Sequence, residues 1–303
     1  MHILVTGGTG LIGRALIPAL LKQEHTITVV SRTPKNVFAL FGDAANQGKV
    51  QALTLNELNS VEQFAAIINL AGEPIADKRW TVKQKTRITQ SRLAITEKLV
   101  ALIDSAQTKP DTFISGSAIG YYGRQDAGMV TESFTDIHEE FSSTLCAEWE
   151  QLALNASSTH TRVCVVRTGV VLSGDGGALS KMYLPFKLGL GGPVSSGEQG
   201  FSWIHIDDMV AGLIFLLNTK DANGAFNFTA PNPVTNKKFS QSLAKTLHRP
   251  CIFTVPKISM RLLLGEGADL LLFGQFVVPK KLEAAGFTFS YRNVDEALAA
   301  IYP

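Results

Sequence analysis

Short apolar runs alternate along the chain with longer stretches whose apolar positions recur every three to four residues. The first run, "HILVT", ends in glycines and leads into "LIGRALIPALLKQ", which has helical spacing. "TITVVS" is β-branched and reads as a second strand, and "AAIINLAG" as a third. A helical pattern then covers residues 80–105. "DTFISG" is a further strand, "HEEFSSTLCAEWEQLALNA" has helical periodicity, and "TRVCVVRTG" reads as a buried strand. Strand and helix in this order predict an α/β fold with a doubly wound parallel sheet, helices on both faces.

After Arg167 the texture changes. Residues 173–200, "SGDGGALSKMYLPFKLGLGGPVSSGEQG", are glycine-rich and read as a long loop bordering a cleft. "IDDMVAGLIFLLN" predicts a helix with an Asp as its N-cap, and "GAFNFTA" a late strand. The tail reads as a helix, an apolar strand "CIFTV", then more helices. The expected division is a nucleotide-binding domain over residues 1–230, with a cleft insertion at about 173–202. A small C-terminal α+β substrate lobe over 231–303 completes it.

Composition narrows the function classes. The 303 residues are 45% hydrophobic and 18% charged, with a net charge of +2. That supplies a core and gives no electrostatic footing for nucleic acid or an anionic membrane. Three distant cysteines, Cys146, Cys164 and Cys251, form no C-x-x-C pair and suit a reducing compartment. The N-terminus lacks a basic leader, and "VAGLIFLLN" and "ADLLLFG" fall far short of the ~20 residues a spanning helix needs. We expect a soluble, cytoplasmic protein with a small-molecule substrate and no metal, nucleic-acid or membrane partner. Its oligomeric state is left open.

"VTGGTGLIG" sets Gly7, Gly10 and Gly13 between the first strand and the first helix. Glycines allow the tight turn and the approach of backbone N–H groups to a pyrophosphate, which the helix N-terminus then faces. An NAD site carries an acid at the end of the second strand, about twenty residues on. Here "VVSRTPK" supplies Ser31 and Arg32, with Lys35 nearby, and a hydroxyl and a guanidinium suit the 2′-phosphate of NADP.

With "NLAGEPIADKRW", "SRL", "SGSAIGYYG", "RTGVVLS", "WIHIDD", "PNPVTN" and "AAGF", the sequence resembles the extended branch of the short-chain dehydrogenase/reductases. The likeness is closer to its atypical "epimerase family" proteins with a C-terminal domain of unknown function. The resemblance implies an NADP-binding Rossmann domain with a small C-terminal substrate lobe. It puts Gly7, Thr9, Gly10, Leu11, Ile12, Gly13, Ser31 and Arg32 at the cofactor, and Leu70, Ala71 and Gly72 alongside its ribose and pyrophosphate. Arg87 and Arg92, on the next helix, are either phosphate ligands or a solvated face. Trp80 is equally readable as core.

In the extended branch a strand-end Ser bonds the reacting oxygen, and a Tyr with a Lys four residues later moves the proton. Ser117 matches the Ser. The helix that should supply Tyr and Lys has Ser142 and Cys146 there instead. The one Y-x-x-x-K, Tyr183 to Lys187, contains Pro185 and reads as a decoy. Tyr121 and Tyr122 follow Ser117, so Ser117 and Tyr121 are the catalytic candidates, and His205 reads as a structural residue before a helix. The expected function is an NADP-dependent oxidoreductase or nucleotide-sugar-type epimerase lacking the usual Tyr/Lys pair. The alternative is a non-catalytic NADPH-binding regulator linked to cell division.

Overall fold

The computed structural model describes residues 1–125 and 128–303. In chain order the first half holds β1 (His2–Thr6), α1 (Leu11–Lys22), β2 (Thr26–Val30), α2 (Pro34–Asn46), β3 (Val50–Leu53), β4 (Ala66–Asn69), α3 (Val82–Ser105) and β5 (Thr112–Ala118). A 3₁₀ turn, Ile119–Tyr122, precedes β6 (Met129–Val130), α4 (Phe141–Leu154), β7 (Arg162–Thr168) and β8 (Val170–Leu172). Then come α5 (Gly177–Lys187), β9 (Gly200–Phe201), β10 (Trp203–His205), α6 (Ile206–Asn218) and β11 (Gly224–Phe228). The tail carries β12 (Val234–Thr235), α7 (Asn236–Thr246), α8 (Lys257–Leu264), α9 (Asp269–Leu272), β13 (Phe276–Val277), α10 (Lys280–Ala284) and α11 (Val294–Ile301).

Seven strands form one parallel sheet in the order β11-β7-β5-β4-β1-β2-β3. This is the doubly wound Rossmann fold. The order reverses between β1 and β4, and ligands of such sheets bind beyond the strand ends at that point.

Each central strand alternates between two cores, as period two requires. Ile3, Val5, Ile68, Ile114 and Val166 pack with Leu16, Ile17 and Leu213 of α1 and α6. Leu4, Ile67, Phe113, Val163 and Val165 pack on the other face with Leu99, Ile103 and Ala153 of α3 and α4. A third cluster, with Leu172, Leu179, Phe186, Trp203, Phe239, Leu243 and Leu298, joins α5 to the C-terminal helices. No described helix is long and apolar enough to cross a membrane.

Several sequence expectations change. Residues 173–200 are not a continuous loop: α5 forms there because Leu179 and Phe186, two turns apart, share one buried face. Pro185 sits in its last turn. "CIFTV" is not a strand; it makes one isolated bridge, Val255 to Val194, and Ile252 and Phe253 are exposed. The N-cap of α6 is His205 rather than an Asp, its Nδ1 accepting the Asp207 N–H at 3.1 Å. β3 and α2 have no counterpart in the sequence reading. β3 is an edge strand of four residues with one buried, too short to show a period.

Candidate functional site

The glycine turn opens at the sheet's switch point. Gly7 has φ +70°, and a Cβ there would lie 2.5 Å from the Leu70 carbonyl oxygen. A Cβ on Gly13 would lie 2.5 Å from both the Gly7 oxygen and the Gly8 Cα. These two glycines are therefore needed for the backbone to close on itself. Gly10 differs: its backbone is extended, and a Cβ would meet only the Gly7 oxygen, at 3.2 Å. Gly10 is also the N-cap of α1, and no side chain caps that helix. The first-turn N–H groups, including those of Leu11, Ile12 and Gly13, thus face outward with the positive end of the helix dipole. That donor set, with Thr9 beside it, fits an anion such as a diphosphate.

The neighbouring turn is held by a buried polar chain. Thr6 Oγ1 donates to Asn69 Oδ1 at 2.6 Å and accepts the Ala71 N–H at 3.2 Å. Asn69 Nδ2 donates to Thr96 Oγ1 at 2.9 Å. Leu70, Ala71 and Gly72 are thereby set against the glycine turn. Arg92 lies beneath them. Its Nη1 donates to the carbonyls of Glu73 (3.1 Å) and Ile88 (3.0 Å), and its guanidinium sits over Trp149. Burial pushes its pKa down. Arg92 therefore braces the turn and is not a solvated face, whereas Arg87 is exposed on α3.

At the end of β2, Ser31 Oγ accepts the Thr33 N–H at 3.1 Å. Arg32 is exposed, and among the described residues its guanidinium makes no hydrogen bond or ion pair. That leaves it free for a 2′-phosphate.

The strand alternation also places a polar row on the α4 face of the sheet. In register, Ser117 of β5 lies beside Arg167 of β7, which lies beside Asn227 of β11. Glu150 of α4 projects onto this row. Arg167 Nε donates to Glu150 Oε1 at 2.9 Å, and Nη2 to Oε2 at 2.8 Å. Ser117 Oγ donates to Glu150 Oε1 at 2.6 Å. Arg167 Nη1 donates to the Tyr122 hydroxyl at 2.9 Å, which donates to Asn227 Oδ1 at 2.7 Å. The Arg167 guanidinium stacks 3.5 Å from the centroid of Tyr121. Arg167 opens the quoted "RTGVVLS" segment without a role assigned to it, and Glu150 and Asn227 were not singled out. Beyond that segment, their sequence signal is a charge inside an otherwise apolar strand, "VVRTG".

This row decides several candidate roles. Tyr122 is fully buried with both hydrogen-bonding functions used, and burial raises its pKa. Cys146 faces Ser117, and burial, then the charge of Glu150, push its thiol up to about 11. It is not a base at neutral pH. Ser142 lies against Gly120. Tyr183 stacks on Tyr302 at 5.1 Å with Lys187 over its ring, so that pair belongs to the C-terminal packing. His205 stacks on Tyr291 at 3.9 Å and caps α6, and burial lowers its pKa. It is structural. A cleft of about 210 Å³ is lined by Trp80, Lys85, Phe141, Ser142, Glu266 and Leu270. Trp80 is wedged there, its Nε1 donating to the Ile75 carbonyl at 2.8 Å.

One chemical consequence can be checked directly. In native protein at pH 8, iodoacetamide is expected to label the half-buried Cys251 first, with Cys146 and Cys164 reacting only on unfolding. Peptide mass spectrometry over time reads this, and early labelling of Cys146 would contradict its burial.

The chain matches known proteins along its whole length. Residues 3–228 match the model of the NAD dependent epimerase/dehydratase family, and residues 255–301 match a domain of unknown function, DUF1731. It is 40% identical over 303 residues to the Arabidopsis thaliana "Epimerase family protein SDR39U1 homolog, chloroplastic", covering 99% of this chain and 86% of that protein. An epimerase family protein of Staphylococcus saprophyticus is 37% identical, covering 98% of each. A crystal structure of human epimerase family protein SDR39U1 (isoform 2) with NADPH superposes with a TM-score of 0.91 at 34% identity, covering 100% of this chain and 99% of that one. With that breadth of match, and with the glycine turn at the switch point of a seven-stranded parallel sheet, the chain belongs to the NAD dependent epimerase/dehydratase family as an atypical short-chain dehydrogenase/reductase with a C-terminal DUF1731 domain.

Proposed function

We propose that this protein is an NADP-dependent oxidoreductase acting on a small molecule. The observation that carries the reading is the pairing of an open, uncapped helix N-terminus at the glycine turn with a free Arg32 where an NAD enzyme has an acid. The human relative was crystallised with NADPH, which supports the same cofactor here. Leu11, Ile12 and Gly13 would hold the diphosphate through main-chain N–H groups. Leu70, Ala71 and Gly72 would flank the ribose, and Ser31 and Arg32 would take the 2′-phosphate. The bound nicotinamide supplies hydride exchange with a substrate carbon. The substrate would enter by the cleft between Trp80 and Leu270, formed where the C-terminal lobe meets the Rossmann domain. The lobe, over residues 231–303 as read from sequence, would thus set specificity.

Calorimetry tests the cofactor reading. NADPH is expected to bind at least tenfold more tightly than NADH. Arg32→Ala should remove most of that preference, because a charge-assisted hydrogen bond to phosphate is worth about 1.5–3 kcal/mol, while leaving NADH affinity within about twofold. Equal affinities in the parent protein would rule out the NADP assignment.

A second reading, NADPH binding without turnover, is favoured by the loss of the Tyr/Lys pair. Ser142 and Cys146 stand in that pair's place, and Cys146 is a neutral, buried thiol. Absence of any substrate-dependent NADPH formation by a protein that binds the cofactor would select it.

A further inference from the structure

Ser117 has its one hydroxyl proton committed. It donates to Glu150 Oε1 at 2.6 Å, and Arg167 Nε and Nη2 donate to the two oxygens of the same carboxylate, which acts as the acceptor in all three bonds. Ser117 therefore offers only lone pairs to whatever meets it at the end of β5, with the weak thiol of Cys146 beside it. A carbonyl oxygen would face those lone pairs unfavourably, whereas an alcohol O–H would donate to them. Tyr121, half-buried with the Arg167 guanidinium on its ring, is the rival proton carrier at this strand end, and two other candidates are taken. Tyr122 is spent on Arg167 and Asn227, and His205 caps a helix.

We propose that Ser117 and Glu150 form the proton relay that replaces the missing Tyr/Lys pair, and that the substrate is a secondary alcohol oxidised by NADP⁺. This inference rests on the hydride-transfer reading above. The alcohol O–H proton passes to Ser117 Oγ as the Ser117 proton passes to Glu150, turning its carboxylate into the acid. The carbinol hydrogen leaves carbon with its electron pair, as hydride to the oxidised nicotinamide, while the electron pair of the broken O–H bond becomes the second bond of the C=O group. Ser117 is the catalytic residue, touching the reacting oxygen. Glu150 accepts through it, and Arg167 holds the carboxylate in place through two N–H donors. The register of β5 and β7 fixes Ser117 beside Arg167, so the relay is assembled by the sheet itself.

The test separates binding from proton transfer. NADPH affinity is measured by calorimetry in the parent and in Ser117→Ala, Ser117→Thr, Glu150→Gln and Tyr121→Phe. Each is then assayed with NADP⁺ and a panel of secondary alcohols, from propan-2-ol and 1-phenylethanol to UDP-glucose. In the absence of cofactor, infrared difference spectra against Glu150→Gln locate the Glu150 carboxylate band. We expect that band to shift in Ser117→Ala, reporting the hydrogen bond independently of activity. Turnover should fall at least about 100-fold in Ser117→Ala and Glu150→Gln with NADPH affinity within threefold, and Ser117→Thr should restore it. A proton inventory in mixed H₂O and D₂O should show two protons in flight in the parent. Ser117→Ala leaves the ion pair intact and decides the matter if Glu150→Gln fails to fold. Retained turnover in Ser117→Ala, or collapse in Tyr121→Phe alone, overturns the relay. So does a parent that binds NADPH and oxidises no alcohol of the panel. A parent that fails to bind NADPH instead removes the cofactor reading beneath it.

Discussion

Gly10→Val is expected to raise the NADPH dissociation constant at least about 100-fold while leaving the protein folded. The Gly10 backbone is extended, a region valine readily adopts, and a Cβ there meets only the Gly7 oxygen at 3.2 Å. The branched side chain instead occupies the space in front of the first-turn N–H groups of α1. Losing two charge-assisted hydrogen bonds to a diphosphate, at about 1.5 kcal/mol each, gives roughly the stated factor. Gly13→Ala provides the contrast. Its Cβ would press on the Gly7 oxygen and the Gly8 Cα at 2.5 Å, so it should lower the melting temperature before any ligand is added. Calorimetry and thermal unfolding of the two variants distinguish the roles. A Gly10→Val protein with the parent's NADPH affinity would mean that the diphosphate lies elsewhere.

Arg167→Met should destabilise the fold by about 3–5 kcal/mol, because it strands the Glu150 carboxylate in the interior. Both side chains of the pair are only 6% exposed. For a chain of this size that corresponds to a fall in melting temperature of roughly 5–8 °C. The loss is larger than a surface ion pair would give, since water is not there to solvate the remaining charge. Tyr122 would lose a donor and Tyr121 its stacked cation in the same change. Pairing Arg167→Met with Glu150→Leu should recover a large part of the stability, because no unpaired charge is then buried. If Arg167→Met melts within 2 °C of the parent, the pair is solvated and the buried row does not hold β5, β7 and α4 together in the way the geometry indicates.

The amino-acid sequence by itself determined the Rossmann architecture and its glycine turn. Both are local signals: the apolar runs of β1, β4, β5 and β7 are each buried on two faces, and the turn's chemistry lies within seven residues of chain. The absence of an acid after β2, and of a Tyr/Lys pair on α4, was equally legible, because each is a statement about one short segment. Weaker segments escaped. Edge strand β3 buries too little to show a period, and α5 was hidden by glycines and Pro185 although Leu179 and Phe186 supply its buried face. "CIFTV" misled in the opposite direction, its Ile252 and Phe253 being exposed and its one pairing lying at Val255. What only the tertiary structure decided is the polar row. Ser117, Glu150, Arg167 and Asn227 are separated by 17 to 110 residues and share no motif. They meet because parallel register sets Ser117, Arg167 and Asn227 side by side, and because α4 packs with Glu150 turned to that face. A charge in a strand announces that it needs a partner, since an unpaired one could not be buried. Which partner it finds depends on how the helix docks on the sheet, a contact between distant segments that no local pattern encodes.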